Sequence, residues 1–513
     1  MLALAPLAVV PLGAATGGAG VGQFTDHGDV GSPAIAGSAA YDEVTQEYRL
    51  EGAGQNIWAA SDQFQFAWVK LKGDFMLRAR GEFVVPAGDP HRKLGLMVRS
   101  SLEADASYAD ACAHGNGHVA LQSRAAKGGT TLEDVLPVHG GDVLQLERRG
   151  HTFILSAARY GETFVSTTLT DLDLGDEVYA GLFVCAHNPQ VKEQAIFRDV
   201  RIVKPAKPDF RPYQDYIGSQ LEILNVFSGR LRALYQATEP FEAPNWLPDG
   251  RTLLWNVSGN GPGKGRLRSY DLVSGEVRPF DSGVAIHNNN DHVLSFDGKM
   301  LGVSNHAPEQ GGRSAVYTLA ATGGPAKLIT PLAPSYLHGW SPDGQWLVYT
   351  GGRKLTPGAA DKYDIYKIPA DGGDEIRLTT SPGLNDGPEF SPDGTYIYFN
   401  STRTGLMQIW RMKPDGSEQE QITHDAYNNW FAHLSPDGKW MVFVSYGAND
   451  VRADDHPYYK HVYIRILPAS GVGEPRVIAY VYGGQGTMNV PSWSPDGTRI
   501  AFVSNSDFEA LAR

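Results

Sequence analysis

From residue 240 onward the chain repeats one phrase six times: PNWLPDGRTLLWNVSG, HVLSFDGKMLGVSNH, HGWSPDGQWLVYTGG, PEFSPDGTYIYFNST, AHLSPDGKWMVFVSY and PSWSPDGTRIAFVSN. Aligned on Leu247, Ser295, Ser341, Ser391, Ser435 and Ser494, the copies lie 44 to 59 residues apart, the length of one four-stranded propeller blade. The phrase itself describes a hairpin. Pro pre-sets φ at the second turn position, Asp accepts a local backbone N–H bond, and Gly takes the left-handed corner. Alternating apolar residues follow, as in Ile397 and Phe399 between Tyr396, Tyr398 and Asn400. A second hairpin completes each unit, for example DIYKIPADGGDEIRLTT.

The sixth unit stops after its first hairpin. The missing pair stands before the first unit, as LEILNVFSGRLRALY (221–235). The expected architecture is therefore all-β, a six-bladed β-propeller over residues 219–513 closed by N-terminal strands 221–235, which leaves no open sheet edge.

The SPDG phrase followed by a DGG hairpin resembles the repeats of the TolB-like propeller superfamily. That resemblance implies a fold used by binding scaffolds, protease gatekeepers and lyases, so function has to come from the site. The chain has no G-x-S-x-G nucleophile elbow, and serine-hydrolase chemistry is not expected.

Residues 23–205 carry strand-like runs without the repeat. The phrases LQLERRGHTFILSAARYGETF and YAGLFVCAHNPQVKEQAIFRDVRI resemble concanavalin/laminin-G-like domains, which implies a jelly-roll-like β-sandwich of the kind that often binds glycans. Residues 206–218, rich in proline, read as a linker. The first 22 residues have an apolar run followed by small residues, as a secretory leader does, although no Lys or Arg precedes the run. They point to the periplasm or the outside of the cell. Two cysteines, Cys112 and Cys185, are too few for a disulfide framework, and both sit in apolar runs that suit buried thiols. A formal charge of −13 argues against nucleic acid or an anionic membrane as the main partner, and no later segment is long and apolar enough to span a bilayer.

The blade arrangement sorts the loops. The SPDG and DGG turns lie on one face of the disc, and the other connections lie on the opposite face. All eight propeller histidines fall on or beside that second set. His292 and His338 both stand three residues before the turn serine of an innermost strand, where blades one, four and six have Pro244, Pro388 and Pro491. His433 stands two residues before Ser435. These three imidazoles are the expected ligands of a divalent metal (Mn, Zn, Fe, Ni or Ca) at the channel mouth, with Asp291, Glu389 or Gln485 adding oxygen. Structural histidines fixing the strand entries are the competing reading.

The same loops offer Arg353 and Arg403 as carboxylate clamps, and Tyr336, Trp430 and Tyr482 as platforms for sugar rings. Asn289, Asn290, Asn429 and Asn489 are candidate hydroxyl partners. A resemblance to the oligogalacturonate lyases, TolB-like propellers that hold a metal with funnel histidines, implies proton abstraction beside a uronate carboxylate. His306, Lys460 or His461 would then be the base. Glycoside hydrolysis by the carboxyls of Asp291, Asp386 and Glu389 is the other enzymatic reading. The expected ligand is an oligosaccharide or polysaccharide. The non-enzymatic alternative is an envelope scaffold that binds a protein or carbohydrate partner on the same face.

Overall fold

The computed structural model describes residues 20–512. The expected leader lies outside the described residues except for its last three positions. The chain divides after Pro205 into two compact units, of which Ala206–Glu509 is the second.

The first unit is a sandwich of two seven-stranded sheets. One sheet runs in the order Asp26–Val30, Phe64–Lys72, Glu177–Cys185, Lys93–Arg99, Tyr108–His114, Val119–Arg124 and Leu132–Val135. The other runs Val165–Leu169, Thr152–Ala158, Val143–Arg149, Phe75–Phe83, Glu193–Val203, Glu47–Gly52 and Ser38–Asp42. Strand alternation builds the core between them: Phe75, Leu77 and Ala79 from one strand meet Leu94, Leu96 and Val98 from the facing sheet. Cys112 and Cys185 are buried, unpaired, in an aromatic cluster with Phe64, Phe66 and Phe183.

The second unit is a six-bladed propeller. Blades one to five are four-stranded antiparallel sheets whose first strands are Phe241–Trp246, Asn288–Leu294, Ser335–Trp340, Asn385–Phe390 and Tyr427–Leu434. In the sixth sheet Gly218–Asn225 lies antiparallel to Arg499–Ser506, with Leu231–Ala237 outside it, and Trp493 bridges to Ile500 on the inner side.

The repeated phrase is a hydrogen-bonded device. In blade four Ser391 Oγ donates to Asp393 Oδ1 (2.6 Å) and accepts from the Tyr396 amide (2.9 Å), tying the turn to the start of the next strand. Ser295, Ser341, Ser435 and Ser494 repeat this pattern. Blade one has Leu247 at that position and instead uses the Thr252 hydroxyl on Asp249 (2.7 Å). Gly394 closes the turn at φ 71°, a conformation that costs glycine nothing.

Candidate functional site in the propeller

The first strands of blades one to five are all irregular, and the irregularities build the site. In blade two the ladder pairs Asn288 with Asn305 and resumes at His292 with Val303, so Asn289, Asn290 and Asp291 oppose the single residue Ser304. Blade three bulges by one residue, His338, between Leu337 and Gly339. Blades four and five each fit two residues against one, Gly387–Pro388 and Phe431–Ala432. A bulge leaves its extra residues out of the ladder and re-aims their side chains. Phe431 adopts φ 55°, and its amide is held by Asn400 Oδ1 at 3.0 Å.

Five of these displaced residues, Asn289, Asn290, Asp291, His338 and Phe431, line a cavity of about 630 Å³ together with Asp386, the last paired residue before the blade-four bulge. His338 Nε2 lies 3.6 Å from Asp386 Oδ1, an oxygen that also accepts from Thr350 Oγ1 (2.7 Å) and the Gly387 amide (2.8 Å). The Phe431 ring stacks on His338 (5.9 Å between centroids) and meets His456 edge-on (5.3 Å). Asp291 is tied to Asn289, whose amide nitrogen donates to Asp291 Oδ2 (3.0 Å).

The environments of the two carboxyls push them apart. Burial raises Asp291 to about 6, against the pull of the neighbouring His338. Burial also raises Asp386, but the His338 hydrogen bond and charge, with His456 and Thr350, outweigh it and hold that carboxyl below its ordinary value. For His338 burial is outweighed by Asp291, Asp386 and Glu389, and the imidazole is raised. The result is one buried carboxyl pushed up and another held down beside a raised imidazole, all facing one cavity, the arrangement that separates acid from base roles.

The three expected metal ligands do not share this place. His338 faces the cavity. His433 lies beyond the blade-five bulge, in the ladder opposite Val442, and both its ring nitrogens are engaged: Nδ1 with Glu389 Oε2 (2.6 Å) and Nε2 with the Met488 carbonyl (3.1 Å). His292 also lies beyond its bulge, with Nδ1 3.1 Å from the Asn290 carbonyl; burial lowers it to about 4, opposed by the Leu254 and Asn290 backbones. His292 and His338 share a register in the sequence but not in space, because the blade-two bulge lies beyond His292 from the turn whereas the blade-three bulge is His338 itself. Among the described residues no group of three or more His, Cys, Asp or Glu side chains is arranged to hold a metal ion. The donor set does not fit the expected centre.

Other expected residues divide in the same way. Asn289, Asn290, Tyr336, Gln485, Asn489, His306, Asp291 and Asp386 line the cavity. Arg353, Arg403, Asn429, Trp430, Tyr482, Lys460, His461 and Glu389 are not in its lining. Arg353 is clamped by Glu375 (2.6 and 2.7 Å) and the Pro334 carbonyl (2.6 Å). Arg403 holds Ser401, Gln419 and Asn385. Asn429 is fully buried between Gln408, Ser445 and Arg465. Trp430 is fully buried against Phe431 and His456. The Tyr482 hydroxyl accepts from the Ala206 amide (3.0 Å). Lys460 and His461 sit in an outer strand paired with Gly483 and Tyr482. Glu389 is spent on His433 and the Leu434 amide.

Sequence reasoning passed over Thr350, Lys362, Tyr363 and Phe431 and set His456 on this face without a role; all five also line the cavity. His456 comes from the long blade-five loop, and only its histidine identity marked it. Phe431 was hidden in a strand reading as continuous.

A six-bladed propeller with a polar cavity walled by its bulged inner strands defines the class. Residues 340–458 match the family model described as the TolB beta propeller domain. An uncharacterized protein of Agrobacterium fabrum is 45% identical over 287 residues, 56% of this chain and 92% of that protein. A solved structure from Agrobacterium tumefaciens, described as a candidate TolB, is 44% identical with a TM-score of 0.52, covering 57% of this chain and 99% of its own. The chain belongs to the TolB-like β-propeller family. An oligogalacturonate lyase solved with manganese aligns at 15% identity and TM-score 0.36, over 55% of this chain and 81% of that one.

Proposed function

We propose that the propeller binds a short oligosaccharide in this cavity and hydrolyses it by acid–base chemistry, with the Asp291 carboxyl donating a proton to the leaving glycosidic oxygen and the Asp386 carboxylate, oriented by His338, taking a proton from the attacking water. The observation that carries the reading is the pair of buried carboxyls in one cavity wall, one pushed up to about 6 and the other held below its ordinary value, among asparagines and tyrosines suited to hydroxyls. Glycoside hydrolysis is favoured over uronate elimination, because both arginines expected to neutralise a uronate are committed to protein partners outside the lining. The periplasm or the outside of the cell is the expected place of action. No helix among the described residues is long and apolar enough to cross a membrane.

Family membership favours a second reading, a non-catalytic binding scaffold. Incubating the protein with a panel of neutral and uronate oligosaccharides, and measuring new reducing ends and ultraviolet-absorbing unsaturated product, separates these. New reducing ends lost in Asp291→Asn and Asp386→Asn support hydrolysis. Unsaturated product supports elimination, and saturable binding without product supports the scaffold.

A further inference from the structure

A second cavity of about 780 Å³ adjoins the first. The two share Asn289, Asn290, His306 and Gln485 as common wall, so they form one cleft with two lobes. The floor of the second lobe is Glu242, the last paired residue before the blade-one bulge and only 5% exposed. Its Oε2 accepts from the Tyr458 hydroxyl (2.8 Å) and its Oε1 from Asn256 Nδ2 (3.2 Å). The glycine-rich segment SGNGPGKG, residues 258–265, contributes Lys264 and most of its other residues to the same lining.

The unmet hydrogen-bonding capacity of this lobe is one-sided. Asn256 Oδ1, Asn288 Oδ1 and Gln485 Oε1 are buried acceptors without a protein partner, against one such donor, Asn290 Nδ2. The orientation of two of these amides is set by their own donors. Asn256 Nδ2 is spent on Glu242, and Asn288 Nδ2 on the carbonyls of Gly265 (3.0 Å) and Ala285 (2.8 Å). Asn256 and Asn288 are 2% and 5% exposed, so bulk water does not reach these oxygens freely. A buried acceptor left unsatisfied costs free energy, and a buried carboxyl needs a compensating charge. Glu242 has hydrogen bonds only from neutral groups, and burial raises it to about 7 despite them, with Asp291 adding repulsion and Lys264 relieving it least. What would complete the lobe is a group that brings several donors and a positive charge.

We propose that the second lobe is a subsite for an ammonium group on a sugar ring, held by Glu242, Asn256 and Asn288, and that the ligand of the cleft is an amino-sugar oligosaccharide. The remaining rings of the ligand occupy the first lobe beside Asp291 and Asp386, so this inference rests on the oligosaccharide reading of that cavity. An ammonium has three donors and no acceptor, the complement of a carboxylate flanked by amide oxygens.

The test uses three tetrasaccharides with one β-1,4 glucosyl backbone that differ only at C2: chitosan tetramer (ammonium), chitin tetramer (acetamide) and cellotetraose (hydroxyl). Calorimetric titration of the unaltered protein should find the ammonium form about tenfold tighter than the hydroxyl form, the worth of one charge-assisted hydrogen bond. Glu242→Gln should remove that preference; a melting curve matching the parent's checks that the variant is folded. Asp291→Asn should keep the preference, which separates this lobe from the first even if Glu242→Gln does not fold; loss of the preference in Asp291→Asn would overturn the subsite. Equal affinity for the ammonium and hydroxyl forms, or preference for the acetamide, overturns the subsite while leaving oligosaccharide binding intact. Failure of all three to bind overturns both.

Discussion

His338 Nε2 stands 3.6 Å from Asp386 Oδ1, and the same oxygen takes hydrogen bonds from Thr350 and the Gly387 amide. Both residues are nearly out of reach of water, with side chains 6% and 15% exposed. Asp386 therefore keeps its negative charge through a neighbour on the adjoining blade. Removing that neighbour by His338→Ala leaves a buried charge with only dipolar support and should cost about 3 kcal/mol. Adding Asp386→Asn should recover part of the loss. Urea titrations of the two single variants and the double variant measure this coupling; strictly additive losses would mean that the pair does not interact.

Asp291 predicts a trade between stability and function. An Asp that ionises near 3.8 unfolded and near 6 folded holds its proton more tightly in the fold. Its penalty is absent below about pH 4, grows between those values and is complete above about pH 6, where it amounts to about 3 kcal/mol. Asp291→Asn should thus raise the melting temperature at pH 8, leave it nearly unchanged at pH 4, and abolish turnover. Melting curves across this pH range check the sign.

The hydrogen bonds of His433 give it a structural role. His433→Ala strands the Glu389 carboxylate between two blades and should lower stability by about 3 kcal/mol. Metal content, measured by elemental analysis on the parent and the variant after identical purification, should be the same. A stoichiometric metal lost only in the variant would restore the three-histidine centre.

The turn serines should be interchangeable in energy. Ser435→Ala breaks the bonds to Asp437 and the Trp440 amide and should cost about 1 kcal/mol, as should the same change at Ser391. Denaturant melts of both variants test whether the repeat carries one device throughout. A cost at one site and none at the other would contradict it.

How much of this was legible in the sequence follows from periodicity. The SPDG repeat is local chemistry, so blade number and strand order could be read from Ser295, Ser341, Ser391, Ser435 and Ser494. Asp291, Asp386 and the asparagines of HNNND were legible as cavity residues because so many polar groups at a strand entry have no use in a strand. The grouping of His292 with His338 failed for one reason. Both stand three residues from their turn serine, but the place at which the bulge falls along each strand leaves no mark in the spacing. The same holds for Arg353 and Arg403, whose partners Glu375 and Gln419 lie 22 and 16 residues away in the chain.

The most direct test of the central claim is a crystal structure of Asp291→Asn soaked with whichever oligosaccharide calorimetry finds it to bind. The account predicts ordered sugar in the inner-strand cavity, with ring hydroxyls at Asn289 and Asn489 and a glycosidic oxygen beside residue 291 and Asp386. Sugar ordered only elsewhere on the chain, with this cavity holding solvent alone, would contradict it.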